Sequence, residues 1–185
     1  MSSPFLFTSE RLGFRNWKPS DVDLMIEISA DEEVMEFFPY VATPEQTRVF
    51  IERMTEMCDK KHYCYFAVEE LESREFIGFI GLCDQNYEAE FTPCIDIGWR
   101  LSQKYWGKGY ATEGAKKCLE YTFRTLGLNE IYSTAPTLNK KSISIMEKIG
   151  MKKHLEFRHE RLKEYQHLES CLCYKIDSNM YLYTD

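Results

Sequence analysis

Residues 93–114 constrain this chain more than any other stretch. Ile95, Ile97, Trp99 and Leu101 alternate with Cys94, Asp96, Gly98 and Arg100, the period of two that sends successive strand side chains to opposite faces. The run Gln103-Lys104-Tyr105-Trp106-Gly107-Lys108-Gly109-Tyr110-Ala111-Thr112-Glu113-Gly114 follows at once. From about Gly109 to Leu126, Tyr110, Ala111, Ala115, Cys118, Leu119, Thr122 and Phe123 recur on one helical face, with Gly127 placed to end the helix. The order is therefore strand, glycine turn, long helix. Glycines permit a tight turn and close backbone approach, and a helix start offers unpaired N–H groups at the positive end of its dipole. Such a turn is a cradle for a pyrophosphate, with Lys108 and the Thr112 hydroxyl as further donors. It is neither G-x-x-x-x-G-K-[ST] nor G-x-G-x-x-G, and a G-K-G before a helix also occurs as a plain structural turn.

The charge distribution bears on the ligand. Arg100 to Lys153 holds 11 basic and 4 acidic residues, and the rest of the chain 12 basic and 26 acidic, for a net −7. An acidic chain argues against a general nucleic-acid binder. Its basic block suits a smaller anion such as a phosphorylated cofactor, with a cationic second ligand elsewhere; two solvated surfaces of opposite sign would give the same count. The 185 residues, 44% hydrophobic and 29% charged, suit one globular domain. Charge-free runs such as Ile131 to Asn139 are too short to span a bilayer, and Phe5-Leu6-Phe7 lacks the basic flank of a secretory signal. Seven Cys (58, 64, 83, 94, 118, 171, 173) without a C-x-x-C pair indicate reduced thiols in a cytoplasmic protein, not a disulfide framework or metal site.

No repeat or linker divides the chain, so a single domain is expected, with a core of about 8–177. Glu10 to Trp17 reads as a first strand. Ser20 or Asp21 then caps a helix bearing Val22, Leu24, Met25, Ile26 and Ile28. Thr43-Pro44-Glu45 opens a second helix, with Val49, Phe50, Met54 and Met57 as its apolar stripe. Residues 62–69 and 75–84 form a hairpin. A short strand from Glu130 to Ala135 precedes a helix capped by Asn139, where Ser142, Ile145, Met146 and Ile149 fall at i, i+3, i+4, i+7 before Gly150. Strands near 153–159 and 168–176 finish an α+β chain with a mixed sheet.

Several blocks in order resemble the GNAT superfamily of acetyl-CoA-dependent N-acetyltransferases, in wording similar to its RimJ/RimL-like branch. They are Thr8-Ser9-Glu10-Arg11-Leu12 with Arg15, Trp17 and Asp21; Val34 to Pro39; Ile97-Gly98-Trp99-Arg100-Leu101 leading into the glycine turn; Asn139, Ser142 and Met146-Glu147-Lys148-Ile149-Gly150-Met151; and Phe157-x-His159 with Tyr174. The resemblance covers nearly the whole chain. It implies a mostly antiparallel sheet in which two parallel strands, here 93–101 and 130–136, splay like a V. Acetyl-CoA would enter that gap, its pantetheine amides on the backbone of Trp99, Arg100 and Leu101. Its pyrophosphate would rest on Trp106, Gly107, Lys108, Gly109, Tyr110, Ala111 and Thr112, and Asn139 and Ser142 would border the thioester.

Acetyl transfer to an amine needs a base for the ammonium, with a solution pKa of roughly 10 if lysine-like, a donor for the oxyanion, and an acid for the thiolate. Asp96, two residues before Gly98, lies near the position where many relatives carry a glutamate, and is the candidate base. Where many relatives carry a tyrosine acid this chain has Met146, which leaves Ser142, one turn earlier, as the nearest donor. A backbone N–H around Ile97 to Trp99 is the candidate oxyanion donor. Each has a structural alternative: a strand-end hydrogen bond for Asp96, close helix packing for Ser142. His159 reads as structural, and Cys171 with Cys173 as packing. Tyr63, Tyr65 and Phe66 read as core or as an acceptor pocket. Glu88 and Glu90 are candidates for attracting a cationic acceptor. The expected acceptor is a protein N-terminus, a lysine or a small polyamine-like amine; the alternative is an acetyl-CoA sensor without turnover. Neither nucleic acid nor membrane is an expected partner, and the chain would act as a monomer or homodimer.

Overall fold

The computed structural model describes residues 4–182. Strands β1 (Phe7–Thr8) and β2 (Leu12–Arg15) lead into helices α1 (Asp21–Ala30) and α2 (Pro44–Lys61), followed by β3 (Tyr65–Glu70), β4 (Phe76–Gln85) and β5 (Cys94–Leu101). Then come α3 (Tyr110–Glu120), β6 (Glu130–Pro136), α4 (Lys140–Lys148), β7 (Lys152–Arg158), the short α5 (Gln166–Glu169), β8 (Ser170–Asp177) and α6 (Ser178–Leu182). A π-helical turn over Tyr121–Thr125 extends α3, and Gly127, at φ 66°, ends it. The strands form one sheet in the order β1-β2-β3-β4-β5-β6-β8-β7. Only β5 and β6 run parallel. The α+β class with a mixed, mostly antiparallel sheet is thus the one found.

The parallel pair is the feature that makes a site. β5 is laddered to β4 along its whole length, from Gln85↔Cys94 to Gly78↔Leu101, and β6 is laddered to β8 from Glu130 to Pro136. Between them the sheet has one register pair, Asp96↔Tyr132, reinforced by the Ser133 hydroxyl donating to the Ile97 carbonyl at 2.9 Å. Beyond that point each strand follows its other neighbour and the two diverge. The V expected from the resemblance is present, and its inner edges offer unpaired backbone groups of the kind that bind an extended amide chain.

Each face of the sheet is covered. Ile80, Leu82, Ile97 and Leu101 are buried on the side of α3, where Gly114 lets the helix approach so closely that a Cβ would stand 2.3 Å from Ile80 Cδ1. Tyr65, Phe79, Asp96, Gly98 and Arg100 share the opposite face, toward α1 and α2, where Phe50 meets the Tyr65 and Phe79 rings. The hairpin is equally tight: a Cβ on Gly81 would lie 2.1 Å from the Cys64 carbonyl oxygen. That atom is backbone and cannot swing away. Gly81→Ala should therefore cost about 1–3 kcal/mol of stability, read as a lowered denaturant midpoint.

Local signals were resolved in detail. The Thr43 hydroxyl accepts from the Gln46 N–H at 3.2 Å while the Gln46 side chain accepts from the Thr43 N–H at 2.9 Å, a reciprocal cap. Ser20 makes no side-chain cap; Asp21 instead accepts from the Lys18 N–H and pairs with Arg15. The first strand is shorter than expected because Trp17 leaves it to donate its indole N–H to the Tyr65 carbonyl at 2.8 Å. The stripe of α2 is broader than expected: Met54 is buried and Phe50 and Met57 pack against the core, but Thr47, Ile51 and Cys58 are buried as well, and Val49 is 55% exposed. The 47, 51, 54, 58 spacing is itself a helical row, which adjoins the one anticipated and shares Met54 with it. Among the described residues, no helix is long and apolar enough to cross a membrane.

Candidate active site

A cleft of about 1240 Å³ runs through the V and is lined by residues from both faces of the sheet. That exceeds the ~300–1000 Å³ usual for a single small ligand, and suits two reactants meeting end to end.

On one side stands the glycine turn. Gly107 and Gly109 adopt φ of 73° and 82°, left-handed values that favour glycine. Nothing lies within 4 Å of a Cβ placed on Gly107. Gly109 is the N-cap of α3 and no side chain caps that helix, so its first N–H groups, on Tyr110, Ala111 and Thr112, have no partner within the helix. Arg11 holds the turn in place. Its guanidinium grips both Glu113 Oε2, at 2.6 Å, and the Lys108 carbonyl, at 3.0 Å, and lies 4.5 Å from the Tyr110 ring centre. Ser9 and the Arg11 N–H bind the other Glu113 oxygen. No spacing rule singled out Arg11 for this task; its only signal was its place in the opening block.

Two cradle residues contribute differently from their names. The Trp106 indole donates to the Leu101 carbonyl at 2.8 Å and lies beneath Lys141 Nζ at 4.6 Å, so the side chain is turned back on β5. Lys108 has its ammonium 5.2 Å from the Tyr105 ring and is not part of the cleft wall. The lysines that do line the cleft are Lys140, Lys141 and Lys148 of α4. Trp99, Arg100 and Leu101 line it from β5. Asn139 caps α4 by accepting from the Ser142 N–H at 3.0 Å. Ser142 faces the cleft, and its neighbour in the wall, Met146, is 1% exposed.

Asp96 lies where the strands part. Its carboxylate accepts from the Tyr65 hydroxyl at 2.7 Å and from the Gln85 amide at 3.0 Å. Burial pushes its pKa up to about 7, against the lowering effect of these two donors. It is enclosed by protein on most sides and still opens to the cleft. Gln85 escaped the sequence reading, although hairpin register puts it diagonal to Asp96 on the same face: Cys83 pairs with Asp96, and Gln85 with Cys94. Of the three aromatic candidates, Tyr65 lines the cleft, whereas Tyr63 and Phe66 do not and belong to the core.

The remaining wall adds residues that the sequence did not mark as lining it. His159, read as structural, lines the cleft beside Arg161. It stacks on Tyr87 at 4.3 Å, accepts from the Arg161 N–H through Nδ1, and has its pKa lowered by burial. Glu88 and Glu90 are exposed and outside the cleft; besides Asp96, the acids in its wall are Glu33 and Glu36, from the segment between α1 and α2. Cys171 and Cys173 are buried with thiols pushed up to about 12 by burial, so they pack and do not react. The described residues contain no group of His, Cys, Asp and Glu that could hold a metal ion.

Comparison with known proteins gives this geometry its family. Residues 11–152 match the family model described as Acetyltransferase (GNAT) domain. The chain is 32% identical to the uncharacterized N-acetyltransferase YnaD of Bacillus subtilis (strain 168), over 82% of this chain and 85% of that one. It is 28% identical to the spermidine N(1)-acetyltransferase of Escherichia coli (strain K12), over 76% and 72%. A crystal structure of a GNAT-family acetyltransferase from Bacillus anthracis superposes with a TM-score of 0.75 at 30% identity, covering 93% of this chain and 98% of that one. The splayed strands, the uncapped helix start and these matches together show that the chain belongs to the GNAT acetyltransferases and is an acetyl-CoA-dependent N-acetyltransferase.

Proposed function

We propose that the chain carries an acetyl group to a primary amine by direct attack in a ternary complex, with Asp96 as the base. The observation that carries this reading is the single cleft with Asp96 at the apex of the V and the α3 start on its rim. When bound, acetyl-CoA supplies an activated acetyl thioester. The N–H groups from Gly107 to Thr112 would hold its pyrophosphate, that of Trp106 already donating to the Gln103 carbonyl at 3.0 Å, and the edge of β5 from Trp99 to Leu101 would pair with its pantetheine arm. The fit is supported by the open space at Gly107 and by the lysines of α4 across the cleft.

Asp96, ionised above about pH 7, would take the ammonium proton directly or through a water. Tyr65 and Gln85 position its carboxylate. Ser142, with the Asn139 cap fixing the first turn of α4, would donate a hydrogen bond to the thiolate, a task Met146 lacks the proton to perform. The RimJ/RimL-like wording of the motif blocks supports placement in that branch. One continuous sheet supports a single working domain with a core of about 8–177, and seven unpaired thiols support a cytoplasmic setting. The acceptor is a primary amine.

Initial rates with both substrates varied test direct attack. Intersecting double-reciprocal lines are expected; parallel lines would indicate an acetylated enzyme and contradict it. The clamp on the turn has its own test. Arg11→Gln should weaken CoA binding about 5- to 30-fold, by loosening the Lys108 carbonyl, with little change in the acceptor KM. Titration calorimetry with CoA reads the first quantity and steady-state kinetics the second.

A further inference from the structure

Arg15 and Arg100 are both enclosed by the sheet and its helices, yet only Arg15 is neutralised. Arg15 pairs with Asp21 and Glu69. Arg100 has no carboxylate within ion-pair distance among the described residues. Its Nη1 donates weakly to the Ser29 hydroxyl at 3.3 Å, and its Nε is buried without a partner. Its guanidinium lies between two rings, 4.3 Å from the Phe38 centre and 5.4 Å from that of Phe79. Burial lowers its pKa only to about 10, so it remains a cation at neutral pH. Arg100 is partly buried, with its Nε fully enclosed, and a charge so far removed from water is costly unless something pairs with it. Arg100 lines the cleft, where its partner would have to arrive. Glu33 and Glu36 line the same cleft and neither forms an ion pair with it.

The placement of Arg100 relative to Asp96 defines the partner. Both lie on the same face of β5, four residues apart, roughly 13 Å at the strand rise. Between them Gly98 carries no side chain, and the stacked rings of Tyr65 and Phe79, 4.9 Å apart, make an apolar ledge. Arg53 and Arg161 also line this cleft, as do Glu33 and Glu36, so the wall as a whole carries no excess of negative charge to draw in an acceptor bearing several positive charges. From this arrangement, and resting on the transfer reading above, we infer that the acceptor is an amine that also carries a carboxylate, with the carboxylate held by Arg100 and the amine presented to Asp96. A planar guanidinium matches a carboxylate in both charge and geometry.

Matched acceptors test this: 6-aminohexanoate against hexylamine, triglycine against triglycinamide, and spermidine as a carboxylate-free amine, each with acetyl-CoA and the full chain. The acid of at least one pair should exceed its neutral partner by about 10- to 100-fold in kcat/KM, mainly through KM. In Arg100→Gln that ratio should fall below about 3-fold, whatever the absolute rate, and Arg100→Lys should retain part of it. Should Arg100→Gln fail to fold, the wild-type ratios still decide the carboxylate subsite, and Arg100→Lys, by lowering the ratio or leaving it whole, decides the assignment to Arg100. Equal turnover of acids and neutral partners, or a preference for spermidine over both acids, would overturn the carboxylate subsite and leave acetyl transfer intact. A preference for the acid that survives in Arg100→Gln would overturn the assignment to Arg100. Absence of turnover with every amine, while CoA binds, would overturn subsite and transfer reading together.

Discussion

Replacing Asp96 by Asn is expected to lower kcat/KM for the amine by about 100- to 1000-fold, the range of a lost general base, with CoA affinity unchanged. The substitution is nearly isosteric. The Asn carbonyl can still accept from Tyr65, and the Gln85 amide can turn to offer its oxygen to the new NH2 group. Loss of rate would then report lost proton transfer and not a collapsed site. The raised pKa also gives a control in stability. Because the folded carboxyl holds its proton up to about pH 7, against an ordinary value near 3.8, the native state binds more protons than the unfolded one between those values. Its stabilising contribution is complete below about pH 4 and is lost as pH rises through about 7. The Asn variant should lack that slope. Equilibrium unfolding at several pH values thus separates what Asp96 does for the fold from what it does for the reaction.

Replacing Arg15 by Leu should have the largest effect on folding, about 3–5 kcal/mol. Arg15 is 3% exposed. It donates to Asp21 Oδ2 at 2.6 Å and Oδ1 at 2.9 Å, to Glu69 Oε1 at 2.5 Å and to the Asn16 carbonyl. Asp21 is itself 2% exposed and holds the Lys18 N–H that begins the turn into α1. Removing the cation leaves two enclosed carboxylates repelling each other at the junction of β2, β3 and α1. A double replacement, Arg15→Leu with Asp21→Asn, should recover part of the loss, because one of those charges is gone. Urea denaturation of the three variants checks both the magnitude and the coupling; an Arg15→Leu variant as stable as the wild type would show that the pair is not a stabilising element.

These two positions differ in how far the sequence revealed them. The face occupied by Asp96 followed from strand period alone, because Ile95 and Ile97 had to point into the core. The surroundings that give Asp96 its chemistry did not, since Tyr65 and Gln85 are 31 and 11 residues away and meet it only through strand register. The glycine turn and the Asn139 cap were readable because their signals are local. Arg11 was not, because the clamp joins residues 102 positions apart. His159, Glu33 and Glu36 illustrate the same limit. Whether a polar residue lines a cleft depends on where loops settle, and periodicity says nothing about that. Val49 shows the limit of periodicity itself, because Phe50, Met54 and Met57 of the same stripe meet the core while Val49, at its edge, is left 55% exposed.

Proton removal by a carboxylate at the apex of the V is the step on which the proposed transfer depends. The pH dependence of kcat/KM for the amine, measured in the wild type and in Asp96→Asn across pH 5.5 to 9, tests it most directly. A wild-type rise through about pH 7 that is missing from the variant is the predicted result. Profiles of the same shape and height in the two proteins would contradict it.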